Sequence, residues 1–220
     1  MFRAVVFDLW MTLVTPPEGA FDAFRRAWAE ELNVPPERLD EIWLDEEGYR
    51  RRETGPIRTA IADVAERLSI DVDVEAILGL RLELMRAVLV PDDGVVDTLT
   101  ELRRRGITTA LVSNSTEDVA LVWSDTSFVG LFDAAVFSAT AGFMKPDPEI
   151  YELVLGELCA PASDTLFVGD GANDELEGAR RVGMTPVLVH PDGTQPRWDG
   201  LGQWQGLRIT SIPQVLDLVA

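Results

Sequence analysis

Lysine, histidine and cysteine each occur once in these 220 residues, as Lys145, His190 and Cys159. One cysteine excludes an internal disulfide, and there is no cysteine or histidine cluster to suggest zinc. Cys159 falls on an apolar helical stretch, where a buried, inert thiol is expected. Basic charge is scarce as well: Lys plus Arg is 19 against 38 for Asp plus Glu, a net charge of -19. Such a surface repels phosphate backbones and anionic lipid, so neither nucleic acid nor a membrane is an expected partner. No apolar run reaches the ~18 residues of a membrane span. The N-terminus lacks a basic-then-apolar export signal, and the expected location is the cytoplasm.

What is present is an α/β alternation with an interruption. Val5-Val6-Phe7 runs into Asp8 and reads as a buried parallel strand that delivers the acid to its C-terminal tip. An acid there is either a catalytic group in the crevice beyond the strand tips or a turn former and helix cap. From 16 to 90 the period is helical, and the length suits four short helices. Phe21, Phe24, Trp28 and Leu32 form one stripe, and Leu39, Ile42, Trp43 and Tyr49 a second. Ile57, Ile61, Val64 and Leu68 form a third, with Ile77, Leu78, Leu84, Met85 and Val88 marking the fourth. These read as bundle core rather than a cofactor box. From 91 onward strand and helix alternate. The expected fold is therefore a doubly wound, Rossmann-like parallel sheet over 1–15 and 91–220, with 16–90 as a helical cap over the strand tips.

Chemistry-bearing residues sit at the ends of expected strands. Asp8, Asp170 and Asp174 offer hard oxygen ligands of the kind Mg²⁺ takes, or else 170–174 is a solvated acidic loop capping the next helix. Ser113 either hydrogen-bonds a phosphoryl oxygen or ends its strand as a turn residue. Lys145 is the sharper signal, because the other 18 basic residues are all arginine. A compact ammonium can neutralise two adjacent carboxylates and a phosphoryl oxygen where a planar guanidinium fits poorly.

Four stretches, in this order and spacing, resemble the haloacid dehalogenase-like hydrolase superfamily over essentially the whole chain. They are Phe7-Asp8-Leu9-Trp10-Met11-Thr12-Leu13, Val112-Ser113-Asn114, Lys145-Pro146-Asp147-Pro148, and Val168-Gly169-Asp170 through Asp174. The resemblance implies that Asp8 is a nucleophile forming an aspartyl intermediate, and that Thr12 and Ser113 hold the phosphoryl group. It implies that Lys145 stabilises charge and that Asp8, Asp170 and the Trp10 carbonyl bind Mg²⁺. Asp174 would act from outside the ligand shell or through water. The implied substrate is a small anionic phosphate ester.

One departure from that pattern matters. Phosphatases that this chain resembles carry a second Asp two residues after the nucleophile, followed by a small residue; here the pair is Trp10-Met11. Indole cannot trade protons in the acid–base role, and a positioned acid or base is worth ~10²–10⁴ in rate. Three readings follow. One is a Mg²⁺-dependent phosphatase or phosphotransferase that is slow or draws its acid from elsewhere, His190 after a strand tip being either that acid or a loop histidine with no such role. Another is a 2-haloacid dehalogenase, whose halide needs no proton to leave; against it stand the retained Asp170 and the lack of a matching carboxylate-binding arginine in the cap. The third is a silent ligand-binding member. Phosphonate cleavage is set aside, because residues 15–90 contain no lysine for a Schiff base. Arg50, Arg51, Arg52 and Arg58 either grip an anionic substrate or form a solvated face.

Overall fold

Apolar side chains on both faces of each inner strand dictate a sheet covered on two sides. The computed structural model describes residues 2–191, 198 and 201–219. Its strands are β1 (Ala4–Phe7), β2 (Thr108–Ser113), β3 (Ala134–Phe137), β4 (Thr165–Gly169), β5 (Thr185–Val189) and β6 (Leu207–Ile209). They pair in parallel in the order β3-β2-β1-β4-β5-β6. Strand order reverses at β1, and ligands bind beyond the strand tips at such a switch point. Val5 and Phe7 enter one apolar cluster with Leu111, Leu166 and Val187, while Val6 enters another with Val112, Phe167 and Leu188. That two-residue period is the strand's own.

The helices are α1 (Ala20–Glu31), α2 (Pro36–Trp43), α3 (Glu46–Glu53), α4 (Ile57–Leu68), α5 (Val74–Val88) and α6 (Val95–Arg104) before β2. After it come α7 (Glu117–Val122), α8 (Ser138–Ala141), α9 (Pro148–Leu158), α10 (Glu175–Arg181) and α11 (Val215–Leu218). Val95, Leu99 and Leu102 of α6 cover the Val5 face, and Ile150, Tyr151 and Val154 of α9 the Val6 face. The expected glycine stop holds at Gly106, whose φ is 75°. Cys159 corrects its expectation. Helix α9 ends at Leu158, Cys159 turns left-handed at φ 50°, and its side chain leaves the apolar face and is exposed.

Between β1 and α6 the chain forms five helices where four were expected. The second stripe breaks after Trp43, because Asp45 accepts a hydrogen bond from the Gly48 N–H at 2.6 Å and opens α3 as a new helix. This insert has an apolar cluster of its own: Phe24, Trp28, Leu39, Trp43, Ile61 and Ile77 are among its members. Trp28 is fully buried and meets Trp43 edge to face, 4.9 Å between ring centroids. The two linkers run together where insert meets sheet. Asp92 N–H donates to the Leu13 carbonyl (2.9 Å), and the Asp92 carboxylate accepts from Thr15 N–H (3.0 Å) and Oγ1 (2.6 Å).

Candidate active site

Beyond β1 the chain folds back on itself at once. Leu9 O accepts from the N–H groups of Leu13 (2.9 Å) and Val14 (3.0 Å), and Met11 N–H donates to Val14 O at 2.7 Å, closing the loop. Met11 carries the turn at φ 59°, a left-handed conformation that costs a residue with a Cβ roughly 1–2 kcal/mol. The turn leaves Asp8 at the strand tip and returns Thr12 to it, Oγ1 donating to Asp8 Oδ2 at 3.0 Å. Trp10 packs edge to face on Phe21 of α1, 5.8 Å between centroids.

Lys145 is only 2% exposed, and Asn114 fixes its backbone from both sides. The Asn114 amide donates to Lys145 O at 2.9 Å and accepts from Lys145 N–H at 2.8 Å. The ammonium bonds Asp8 Oδ1 and, at 2.5 Å, Glu175 Oε2. Burial alone would push this lysine's pKa down; the charges of Asp8 and Glu175 outweigh it and hold the ammonium above its ordinary range. Glu175 Oε1 accepts from Gly171 N–H at 3.0 Å. Gly169 makes room for that carboxylate: a Cβ there would stand 2.2 Å from Glu175 Oε1.

Ligand oxygens of Asp8, Asp170 and Glu175, all buried, lie within 4.8 Å of one another. Burial first and the Asp8 charge second push Asp170 above the usual carboxylate range and Glu175 up to about 8. Trp198 Nε1–H donates to Asp170 Oδ2 at 2.9 Å and offsets part of that cost. Three buried carboxylates facing one ammonium are under-compensated, and buried charge without a partner is expensive. The site therefore fits a hard divalent cation, which takes carboxylate oxygen and needs no soft ligand.

These groups wall a cavity of about 120 Å³, small beside the ~300–1,000 Å³ of ordinary ligand sites. Tyr49 of α3 closes it from the insert, its hydroxyl accepting from Asn173 Nδ2 at 3.3 Å. Arg50 on the same helix bonds Asp147 at 3.1 Å, so Asp147 serves α3 rather than capping α9.

Asp8, Thr12, Lys145, Asp170 and Trp10 thus gather at one place. Ser113 is fully buried at the end of β2, but the neighbouring Asn114 is the one that lines the cavity. The two carboxylates that the Lys145 ammonium neutralises are those of Asp8 and Glu175, not Asp170. Asp174 is exposed and stands outside the carboxylate cluster. Asn173 and Asp174 are both left-handed, at φ 51° and 55°, and this double turn carries Asp174 outward and Glu175 in. His190 is buried away from the cavity lining. Arg51 pairs with Glu47 at 2.5 Å and with Asp63. Arg58 pairs with Glu75 at 2.6 Å. Arg52 stacks over Trp43 and Tyr49, 5.0 Å from each ring centroid. Sequence reasoning missed Glu175, Tyr49, Asn173 and Trp198; only Glu175 carried a signal, as a second acid close behind Asp170.

A family model described as haloacid dehalogenase-like hydrolase matches residues 2–183. The chain is 28% identical to glyceraldehyde 3-phosphate phosphatase of Methanothermobacter thermautotrophicus, over 60% of this chain and 58% of that protein. It is 30% identical to (S)-2-haloacid dehalogenase of Pseudomonas sp. strain YL, over 72% of this chain and 67% of that protein. The matched stretch thus spans little more than half to two thirds of these relatives' lengths. The crystal structure of a HAD phosphatase from Thermococcus onnurineus superposes with a TM-score of 0.75 at 20% identity, covering 100% of this chain and 98% of that one. At that identity the likeness is one of fold.

Proposed function

The chain belongs to the haloacid dehalogenase-like hydrolases, and from that premise we propose that it hydrolyses small phosphate monoesters through an aspartyl-phosphate on Asp8. The observation that carries this reading is the buried Asp8–Asp170–Glu175 cluster with Lys145 as the ammonium bonded within it. Dehalogenation has no use for a cation-binding carboxylate set. Phosphoryl transfer, which is mostly positioning and charge stabilisation, does.

Asp8 is held as a nucleophile by two donors: Thr12 Oγ1 on one carboxylate oxygen and Lys145 on the other. Both donors orient the group before substrate arrives. Lys145, fixed by Asn114, also presents its charge to the phosphoryl oxygens as they gain negative charge. Asp8, Asp170 and Glu175, with the Trp10 carbonyl, would hold Mg²⁺; Glu175 takes the part first given to Asp174. Bound there, the ion supplies positive charge to the phosphoryl group. The insert acts as a cap, Tyr49 and the contacts of α3 closing the cavity and excluding water.

A second reading, 2-haloacid dehalogenase, keeps a place because Trp10 stands where an acid–base Asp would serve a phosphatase. Turnover of aryl phosphates and of 2-haloacids, each with Mg²⁺ and with EDTA, separates the two. Phosphate release abolished by EDTA supports the phosphatase; halide release indifferent to EDTA refutes it.

A further inference from the structure

Cleaving an alkyl phosphate leaves an alkoxide, which needs a proton, and Trp10 cannot give one. The cavity wall therefore has to be searched for a donor whose proton is not already committed. The three carboxylates are the cation-holding set, and Asp8 is also the nucleophile. The Lys145 ammonium is bonded to Asp8 and Glu175. Asn114 gives its amide proton to Lys145 O, Asn173 to Tyr49, and Trp198 its N–H to Asp170. Tyr49 is left. Its oxygen accepts from Asn173 and its O–H donates to no acceptor among the described residues, although the residue lines the same cavity as Asp8.

Resting on the phosphatase reading, the geometry points to Tyr49 as the catalytic proton donor to the leaving-group oxygen, supplied from the cap helix α3. In the first step an Asp8 oxygen bonds phosphorus, the bond from phosphorus to the ester oxygen breaks, and that oxygen leaves with the Tyr49 proton as an alcohol. In the second, water attacks the phosphorus of the aspartyl-phosphate and gives a proton to the phenolate. Phosphate is released, and the Asp8 carboxylate and the phenol are both restored. An alkoxide is more basic than a phenolate, so the first transfer is downhill. Arg52, over the ring at 5.0 Å, stabilises the phenolate between steps. Burial, with the Glu53 charge behind it, holds the phenol above its ordinary value, so the resting group carries its proton. The acid thus comes from the cap, and alkyl phosphates are substrates only when the cap is closed. The small cavity favours a compact alkyl group.

The test is leaving-group dependence in wild type and Tyr49→Phe, with saturating Mg²⁺. Phe keeps the ring that Arg52 stacks on, and a thermal melt checks folding. The variant is expected to lose ~10²–10⁴ in kcat on an alkyl phosphate and far less on p-nitrophenyl phosphate, whose leaving group departs unprotonated. A solvent deuterium isotope effect on wild-type alkyl-ester turnover needs no variant and should be present. Equal loss on both esters would make Tyr49 a binding or structural residue and overturn the proposal, as would full alkyl activity in the variant or no isotope effect. Aryl phosphate turnover by wild type without any alkyl turnover overturns the Tyr49 role alone. No turnover of either ester sinks the phosphatase reading with it.

Discussion

Lys145 bonds Glu175 Oε2 at 2.5 Å and shares its ammonium with Asp8, while Asp170 takes its hydrogen bonds from Trp198 and the Ala172 N–H instead. The buried lysine thus joins Asp8 to the first residue of α10. A guanidinium is too broad for a slot closed on three sides by Asp8, Glu175 and the Phe167 ring, whose centroid is 5.6 Å from Nζ. Lys145→Arg keeps the charge but displaces it, and kcat should fall by roughly 10²-fold or more. Turnover at saturating substrate checks this, with a melt to confirm folding.

Glu175→Gln and Asp174→Asn, one residue apart, should behave differently. The first removes a buried member of the carboxylate cluster and should raise the Mg²⁺ requirement by roughly 10–100-fold. The second changes an exposed side chain and should leave it where it was. A Mg²⁺ titration of activity reads both.

Why Glu175 was hidden and Asp170 was not is a matter of range. Asp8 and Asp170 follow unbroken apolar runs, Val5–Phe7 and Leu166–Val168, and a buried parallel strand has only one tip. Lys145 stood out because it is the single lysine. Choosing Glu175 over Asp174 requires knowing of two successive left-handed residues, and Asn and Asp enter that conformation without announcing it. Tyr49 read as helical, but in one stripe with Leu39, Ile42 and Trp43; it lies on the separate helix α3. Its cavity role depends on where the insert sits on the sheet, set by contacts such as Arg81 to Asp118 at 2.7 Å, far apart in sequence. Cys159 was misjudged by one residue: α9 ends at Leu158, and Cys159 lies in the left-handed turn beyond it.

Glu53 makes stability depend on pH. Burial outweighs the nearby Arg52 and raises its pKa from 4.5 to about 7. Between those values the folded protein holds a proton that the unfolded chain has released. Stability therefore falls as pH rises from about 4.5 to about 7, by at most roughly 3 kcal/mol at 1.36 kcal/mol per unit. Glu53→Gln should flatten this part of the curve. Urea unfolding at pH 5 and pH 7.5 measures it, and an unchanged difference in the variant would contradict the assignment.

Trp10→Asp with Met11→Gly places an acid beside Asp8 and lets the turn keep its positive φ without strain. In the Tyr49→Phe background this pair should recover part of the lost ~10²–10⁴ on alkyl esters and change aryl turnover little. Folding must be verified first, since truncating a buried Trp can cost ~3–5 kcal/mol; Trp10 is half-buried, so the cost here should be lower.

Hydrolysis through an aspartyl-phosphate requires that phosphorus bond to Asp8. Protein mixed with an aryl phosphate and Mg²⁺, quenched in acid within the steady state and digested, is read by mass spectrometry of the peptide carrying Asp8. A phosphate adduct on Asp8 is expected, and it should disappear with EDTA and in Asp8→Asn. An unmodified Asp8 under conditions of rapid phosphate release, or an ester to Asp8 formed from a 2-haloacid without any metal, would contradict it.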